Sequence, residues 1–228
     1  LILINVGLGL DFLNKSKLTQ KFQRISNGTG QNEFGIFNQT INLGNMLEPA
    51  PGMLLIAEPF LKDPNFMRTV VLLCEHQDEG SFGFVLNRSH EYTLEELVPE
   101  LEGMDQPVYY GGPVQKDTLH FLHQCPEFIE GGFEVANGIY WGGDFEQALR
   151  GLRANLFDAS KIRFFVGYSG WTGGQLEVEC KEKSWLITPA RENLVFPQEP
   201  EQVWKDSLRK MGGEYEMMIN FPVDPSLN

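Results

Sequence analysis

Three things are scarce in this chain: cysteine, positive charge and long apolar runs. Its three cysteines, Cys74, Cys125 and Cys180, lie more than 50 residues apart and form no C-x-x-C pair. An odd number at such spacing argues against a disulfide framework and against a zinc site. Each follows an apolar stretch, so each reads as a small buried hydrophobe in a reducing compartment, and a cytoplasmic location is expected. Lysine and arginine number 18 against 31 acidic residues, a net charge of −13. Residues 1–45 hold Lys15, Lys17, Lys21 and Arg24 against Asp11 and Glu33, which leaves 14 basic and 29 acidic residues, a net −15, in 46–228. A body of that sign repels phosphate backbones, so direct nucleic-acid binding is not expected. No apolar run approaches the roughly 18 residues that span a bilayer, and no membrane partner is expected. The opening "LILINVGLGL" has no basic residue before it and no neat small-residue cleavage pattern after it, so it does not fit a signal peptide. Nucleotide-binding glycine loops, metal-ligand spacings and nucleophile–base pairs are also missing from the linear pattern, and neither cofactor nor metal is implied.

What is present is an ordinary globular composition, 42% hydrophobic and 21% charged over 228 residues. The first 45 residues contain seven asparagines and no proline, and patterning sharpens only from Met46 onward. Two readings compete for them, an arm that packs on the body or an upstream leader. The organisation expected is an extension over 1–45 followed by a single domain over 46–228.

Along that domain, "MLLIA" (53–57) and "TVVLLC" (69–74) are continuous apolar runs, as in strands covered on both faces. Asp63 can cap a short turn with Pro64 at its first position. "FGFVL" (82–86), "PVYY", "TLHFLH", "GIYW" (138–141), "KIRFFVGYSGW" (161–171) and "WLIT" (185–188) read as further strands. Thr93 with Glu96 forms a capping box before Leu94, Leu97, Val98 and Leu101, with Pro99 kinking or ending that helix. The acids of 91–105 read as a solvated face, with partner binding as the sharper alternative. Asp144 and Gln147 box a second helix whose apolar face is Phe145, Ala148, Leu149, Leu152 and Leu156. A late helix places Val203, Trp204, Leu208 and Met211 on one face and stops at Gly212. "GGQLEVECKEKSW" alternates like a strand yet is rich in helix formers, and periodicity leaves both open. Interleaved strands and helices predict a mixed sheet flanked by helices.

The stretch "VYYGGPVQKDTLHFLHQC" (108–125) carries two histidines three apart. On a strand His120 and His123 point to opposite faces, so they do not form a metal pair, and each reads first as a hydrogen-bonded histidine in or near the core. Gly111 and Gly112 supply backbone conformations closed to other residues, with an anion cradle as the functional alternative. The stronger signal is what the buried strands run into: Glu75-His76, Asn87-Arg88, and Tyr168 to Trp171. Polar loops beyond strand ends are where ligands gather in open sheets. If those ends adjoin, a carboxylate, an imidazole, a guanidinium and aromatic rings converge into a binding pocket. The alternative is a structural network in which Arg88 pairs with Glu75.

Those same residues carry a resemblance. "LLIAEPFLKDPNFMRTVVLLCEHQDEGSFGFVLNRS", "VYYGGPV" leading to "LHFLH", "GYSGWTGGQLEVE" and "SWLITPA" together resemble the AlgH/YqgE family of bacterial proteins over about residues 52–212. The resemblance implies a compact α+β fold, a mixed and partly barrel-like sheet surrounded by helices, with "GGQLEVEC" helical. It also implies the label of transcriptional regulator, which rests on a regulatory phenotype in alginate-producing bacteria and on no assigned chemistry. The motif positions it carries over are Glu75, His76, Asn87, Arg88, Gly111, Gly112, Pro113, His123, Tyr168, Gly170, Trp171, Gln175 and Glu177. Ser89 stands where the family usually has proline, and Ser169 where it usually has alanine. The function expected is regulation through a protein partner or a small anionic ligand. The alternative is a small-ligand binder or enzyme using Glu75, His76, Arg88 and Tyr168.

Overall fold

A computed structural model of the chain describes residues 47–98 and 101–221; the expectations for residues 1–45 and for Pro99 lie outside the described residues. Strands β1 (Met53–Ala57) and β2 (Val70–Gln77) are antiparallel neighbours, with Leu54 opposite Leu72. Strand β3 (Gly80–Val85) returns from β2 through a tight hairpin. The sheet continues through β4 (Ser89–Thr93), β5 (Pro107–Tyr110), β6 (Val114–His123), β7 (Phe133–Ala136), β8 (Ile139–Trp141), β9 (Ile162–Thr172) and β10 (Trp185–Pro189). Its spatial order is β10-β1-β2-β3-β9-β6-β8-β7, with β4 on β5 and β5 on β9. Among the described residues every pairing is antiparallel except β5 with β9, which makes the sheet mixed.

The sheet curls back on itself. A Cβ added at Gly52, just before β1, would lie 2.6 Å from the carbonyl of Val135 in β7, at the far end of the strand order. Leu54, Ile56, Leu72, Phe84, Phe165 and Val135 fill the enclosed side. This is the partly barrel-like α+β architecture that the resemblance implies.

Alternation along β1 and β2 explains the unbroken apolar runs. Leu54, Ile56 and Leu72 face inward, whereas Leu55, Ala57, Val71 and Leu73 face the outer side. Both sides are covered, so no position is left for a polar residue. On the inside lie two helices, α4 (Glu192–Val195) and α5 (Val203–Met211), through Leu194, Val195, Val203, Trp204 and Leu208. Trp204 also donates its indole N–H to the carbonyl of Ala57 at 2.8 Å. On the outside lies α3 (Gln175–Lys181), through Leu176 and Cys180, so the ambiguous "QLEVEC" segment is helical.

Two further helices match their capping signals with differences. Helix α1 (Leu94–Leu97) has the full Thr93–Glu96 box but is a single turn. In α2 (Phe145–Arg153) the Asp144 carboxylate caps the N–H of Gln147 at 2.8 Å. Gln147 does not complete a box; its side-chain oxygen accepts from the N–H of Glu130. Leu156 is also not on the buried face, because the helix has ended. Asn155 takes φ +50°, and Leu156 N–H bonds back to the carbonyl of Gly151, a Schellman closure. The apolar contact on Gly151 is made by the Phe157 ring, and Leu156 stays 54% exposed.

Candidate functional site

The hairpin register decides which candidate residues can meet. His76 lies opposite Ser81 and Val71 opposite Val85, so Glu75 and His76 sit at one end of the β2–β3 hairpin and Asn87 and Arg88 leave from the other. The expected single pocket at the strand ends is therefore not formed, and the expected Arg88–Glu75 pair is not made. The rule that ligands gather at one edge of the strand ends belongs to parallel sheets. In an antiparallel sheet successive strands end at opposite edges.

A first polar group forms where β2, β3, β9 and α3 meet. A bulge at Leu73/Glu75 sets Glu75 opposite Phe82, an inward-packed ring, and returns His76 to the outer side beneath α3. There His76 Nδ1 lies 2.7 Å from Ser81 Oγ, and His76 Nε2 lies 3.6 Å from Glu177 Oε1. The next strand presents Trp171 opposite Ser81. The Trp171 indole donates to Glu179, which also accepts from Trp185 and from the Gln175 amide at 2.9 Å. Gln175 in turn accepts from the N–H of Thr172 at 3.1 Å, which ties the end of β9 to the start of α3. His76, Trp171, Gln175 and Glu177 thus come together; Ser81, Glu179 and Trp185 join them and were missed. The i, i+4 spacing of Gln175 and Glu179 was a legible helical signal once the segment is taken as helix.

A second group is structural in geometry. The Asn87 carboxamide accepts from the N–H of Val70 and donates to the carbonyl of Arg68, both at 2.9 Å. Arg88 donates to the carbonyl of Pro64 at 2.8 Å and, more weakly, to that of Met67 at 3.4 Å. Both residues fasten the 63–68 turn, which Asp63 caps at the N–H of Asn65.

The glycines make a third group. A Cβ on Gly111 would lie 2.3 Å from the Gly167 carbonyl, and one on Gly112 would lie 2.3 Å from the Tyr168 carbonyl carbon. These residues let the chain before Pro113 pass tightly along β9 rather than opening a cradle for an anion. Ser169 Oγ and Val85 N–H both donate to the Gly111 carbonyl. Tyr168 points inward, its ring edge-on to those of Phe82 and His120 at 6.0 Å. It is therefore across the sheet from Trp171, three residues on.

His120 and His123 lie on opposite faces, as alternation requires. His123 is fully buried with its ring stacked on Tyr140. Its Nε2 bonds the carbonyl of Gly142 at 3.0 Å, and its Nδ1 accepts from the N–H of Cys125 at 3.2 Å. That set requires the neutral ring protonated on Nε2. Burial lowers its pKa below the usual 6.5, partly offset by the Gly142 bond and the charge of Glu127.

Arg163 is a further polar residue whose burial the sequence did not signal. It is 5% exposed, donates to the carbonyls of Val195 (2.6 Å) and Leu86 (2.8 Å), and lies 3.8 Å from the centre of the Tyr109 ring. Desolvation pulls its pKa down to about 10, against the opposing influence of Tyr109. An open recess of about 830 Å³ lies elsewhere, with Glu192, Phe196, Gln202 and Arg209 on its walls, and none of the candidate residues lines it.

The fold and these motifs have close counterparts. A family model described as AlgH-like matches residues 54–216. The UPF0301 protein CT0663 of Chlorobaculum tepidum is 46% identical over 178 residues, covering 78% of this chain and 95% of that protein. A UPF0301 protein of Chlorobium luteolum is 43% identical over 194 residues, 85% of this chain and all of that one. The crystal structure of protein DIP2367 from Corynebacterium diphtheriae superposes with a TM-score of 0.63 at 26% identity, over 78% of this chain and 95% of that one. The solution structure of the AlgH protein from Pseudomonas aeruginosa superposes with a TM-score of 0.60 at 28% identity, over 78% of this chain and 98% of that one. The motif resemblance, the family match and the shared fold agree: this chain belongs to the AlgH-like family.

Proposed function

We propose that this chain is a cytoplasmic regulatory protein acting through a protein partner or a small anionic ligand, without direct contact to DNA. The observation that supports this most is how its polar candidates are used. Asn87, Arg88 and His123 spend their hydrogen bonds on the chain's own backbone, and Gly111 and Gly112 are filled by neighbouring backbone. Groups so committed are unavailable to a substrate. Four bases, Arg150, Arg153, Lys161 and Arg163, lie close together in the sequence around the end of α2, but the Arg163 guanidinium is in the core. Three exposed bases at a helix end, set against the net −15 of residues 46–228, make a poor phosphate-binding surface. A salt titration of the purified protein with duplex DNA tests this. No complex is expected at physiological salt, and at most a faint one at low salt; a salt-resistant, sequence-selective complex would overturn the reading.

A second reading, a small-ligand site or enzyme, is favoured by one observation. Ser81, His76 and Glu177 stand in a continuous polar line at the end of β2 and the start of α3. In that reading Glu75, Arg88 and Tyr168 drop out and the site contracts to the outer side of the sheet. Replacing His76 by Gln and asking whether the gene still complements a deletion separates it from a purely structural line; full complementation by the folded variant would exclude it.

A further inference from the structure

We propose that Ser81, His76 and Glu177 form a nucleophile, a base and an orienting carboxylate for acyl transfer from small, exposed esters or thioesters. The inference rests on the second reading above, that the ends of β2 and α3 hold a functional site. Three separate elements deliver the three groups: Ser81 from β3, His76 from β2 and Glu177 from α3. The β2 bulge is what brings His76 to this side, and bulges recur where a side chain must be re-aimed beside a site. The nucleophile stands on rigid backbone. Ser81 pairs with strands on both sides, and the preceding Gly80 is so tightly seated that a Cβ there would fall 2.6 Å from the Trp171 carbonyl.

The imidazole is suitably oriented. With Nε2 toward the Glu177 carboxylate, the ring proton belongs on Nε2, and Nδ1 presents its lone pair to the Ser81 hydroxyl at 2.7 Å. This reverses the nitrogens of the familiar serine-hydrolase triad, but such constellations are defined by geometry and role. At 3.6 Å the Glu177 contact is longer than a hydrogen bond, and unliganded sites often hold such contacts long. Ser81 is 8% exposed, and the His76 and Glu177 side chains beside it are 20% and 39% exposed.

The chemistry closes without a cofactor. Ser81 Oγ forms a bond to the acyl carbonyl carbon while its proton passes to His76 Nδ1. The tetrahedral adduct collapses, the bond to the alkoxide or thiolate breaks, and that group takes the proton from His76. Water, deprotonated by the same nitrogen, then cleaves the acyl-serine, releases the carboxylic acid and restores the hydroxyl.

The test is reaction of the full chain with an alkyl fluorophosphonate, read by intact mass and peptide mapping. One adduct is expected, on Ser81, absent in Ser81→Ala and formed about 100-fold more slowly in His76→Gln. Thermal unfolding of each variant establishes that it is folded. Glu177→Gln, at a more exposed position, provides the slower rate to be measured if His76→Gln does not fold. No Ser81 adduct, under conditions that label a control serine hydrolase, would overturn the proposal. So would labelling of folded His76→Gln at the wild-type rate. If His76→Gln abolishes complementation while Ser81 takes no adduct, the nucleophile is refuted and the ligand-site reading stands.

Discussion

Trp171 and Trp185 are joined through a single oxygen atom. Both indole N–H groups donate to Glu179 Oε2, at 2.9 and 2.8 Å, with the rings edge-to-face at 6.0 Å. The tryptophans come from β9 and β10, which are not neighbours in the sheet, so this carboxylate ties α3 to two distant strands. Replacing Glu179 by Leu strands two largely buried donors and is expected to cost about 2–4 kcal/mol. Glu179→Gln keeps an acceptor and should cost less than half as much. Urea unfolding followed by tryptophan fluorescence measures both.

Arg88 and Asn87 fasten the same turn with different stakes. Arg88→Ala loses one good bond to the Pro64 carbonyl at a partly exposed site and should cost about 1–2 kcal/mol. Asn87→Ala also strands the N–H of Val70, a fully buried residue, and should cost more, about 2–3 kcal/mol. Both variants should still complement a deletion at permissive temperature. An Arg88→Ala protein that folds with wild-type stability yet loses complementation would move Arg88 from the turn to the function.

Much of this architecture was legible because it is dictated locally. Two-sided burial of β1 and β2 leaves unbroken apolar runs, and Asp144, Thr93 and Gly212 mark helix ends through caps with definite chemistry. Strand pairing was not legible, and the expected pocket failed on it. Whether the ends of "TVVLLC" and "FGFVL" adjoin depends on antiparallel register, and a single bulge at Cys74 then moves His76 to the opposite face. Two short strands, Ser89–Thr93 and Phe133–Ala136, escaped because each is only four or five residues long and buries few of them. Arg163 escaped because its compensation comes from carbonyls of residues 77 and 32 positions away, which no sequence window contains.

His123 gives stability a pH dependence of definite sign. Its folded pKa lies below 6.5, so as pH falls through the unfolded value the unfolded chain takes up a proton that the folded ring resists. The stabilisation from the neutral ring is present above that value and is lost as pH falls toward the folded pKa. One proton sets the limit at about 1.4 kcal/mol per pH unit. Unfolding free energies from pH 7.5 down to 5.5 should fall for the wild type. The His123-dependent part of the slope should vanish in His123→Asn; an unchanged slope would show that the ring has the same pKa in the folded and unfolded chain.

Two glycines near β9 should respond oppositely to alanine. At Gly112, with φ +153°, the new Cβ would meet the Tyr168–Ser169 peptide at 2.3–2.4 Å, and backbone cannot swing aside. Gly112→Ala should fail to yield soluble folded protein. At Gly170 the nearest atom is Tyr168 Cε2 at 3.2 Å, on a ring able to shift. Gly170→Ala should remain soluble and lose no more than about 1–2 kcal/mol. Soluble expression and melting temperature of the pair check this directly.

Strand β1 has for one of its two neighbours β10, so Met53 waits for Pro189 to find its place in the sheet. During synthesis β1 and β2 can pair as they emerge, but the outer edge of β1 and the underside of its apolar residues have no cover until β10, α4 and α5 have been made. Contacts so far apart in the chain are slow to form and expose apolar edges in the interval. These residues therefore complete their fold only after those through α5 have left the ribosome, and a chain cut short before Trp185 keeps an open, sticky strand edge.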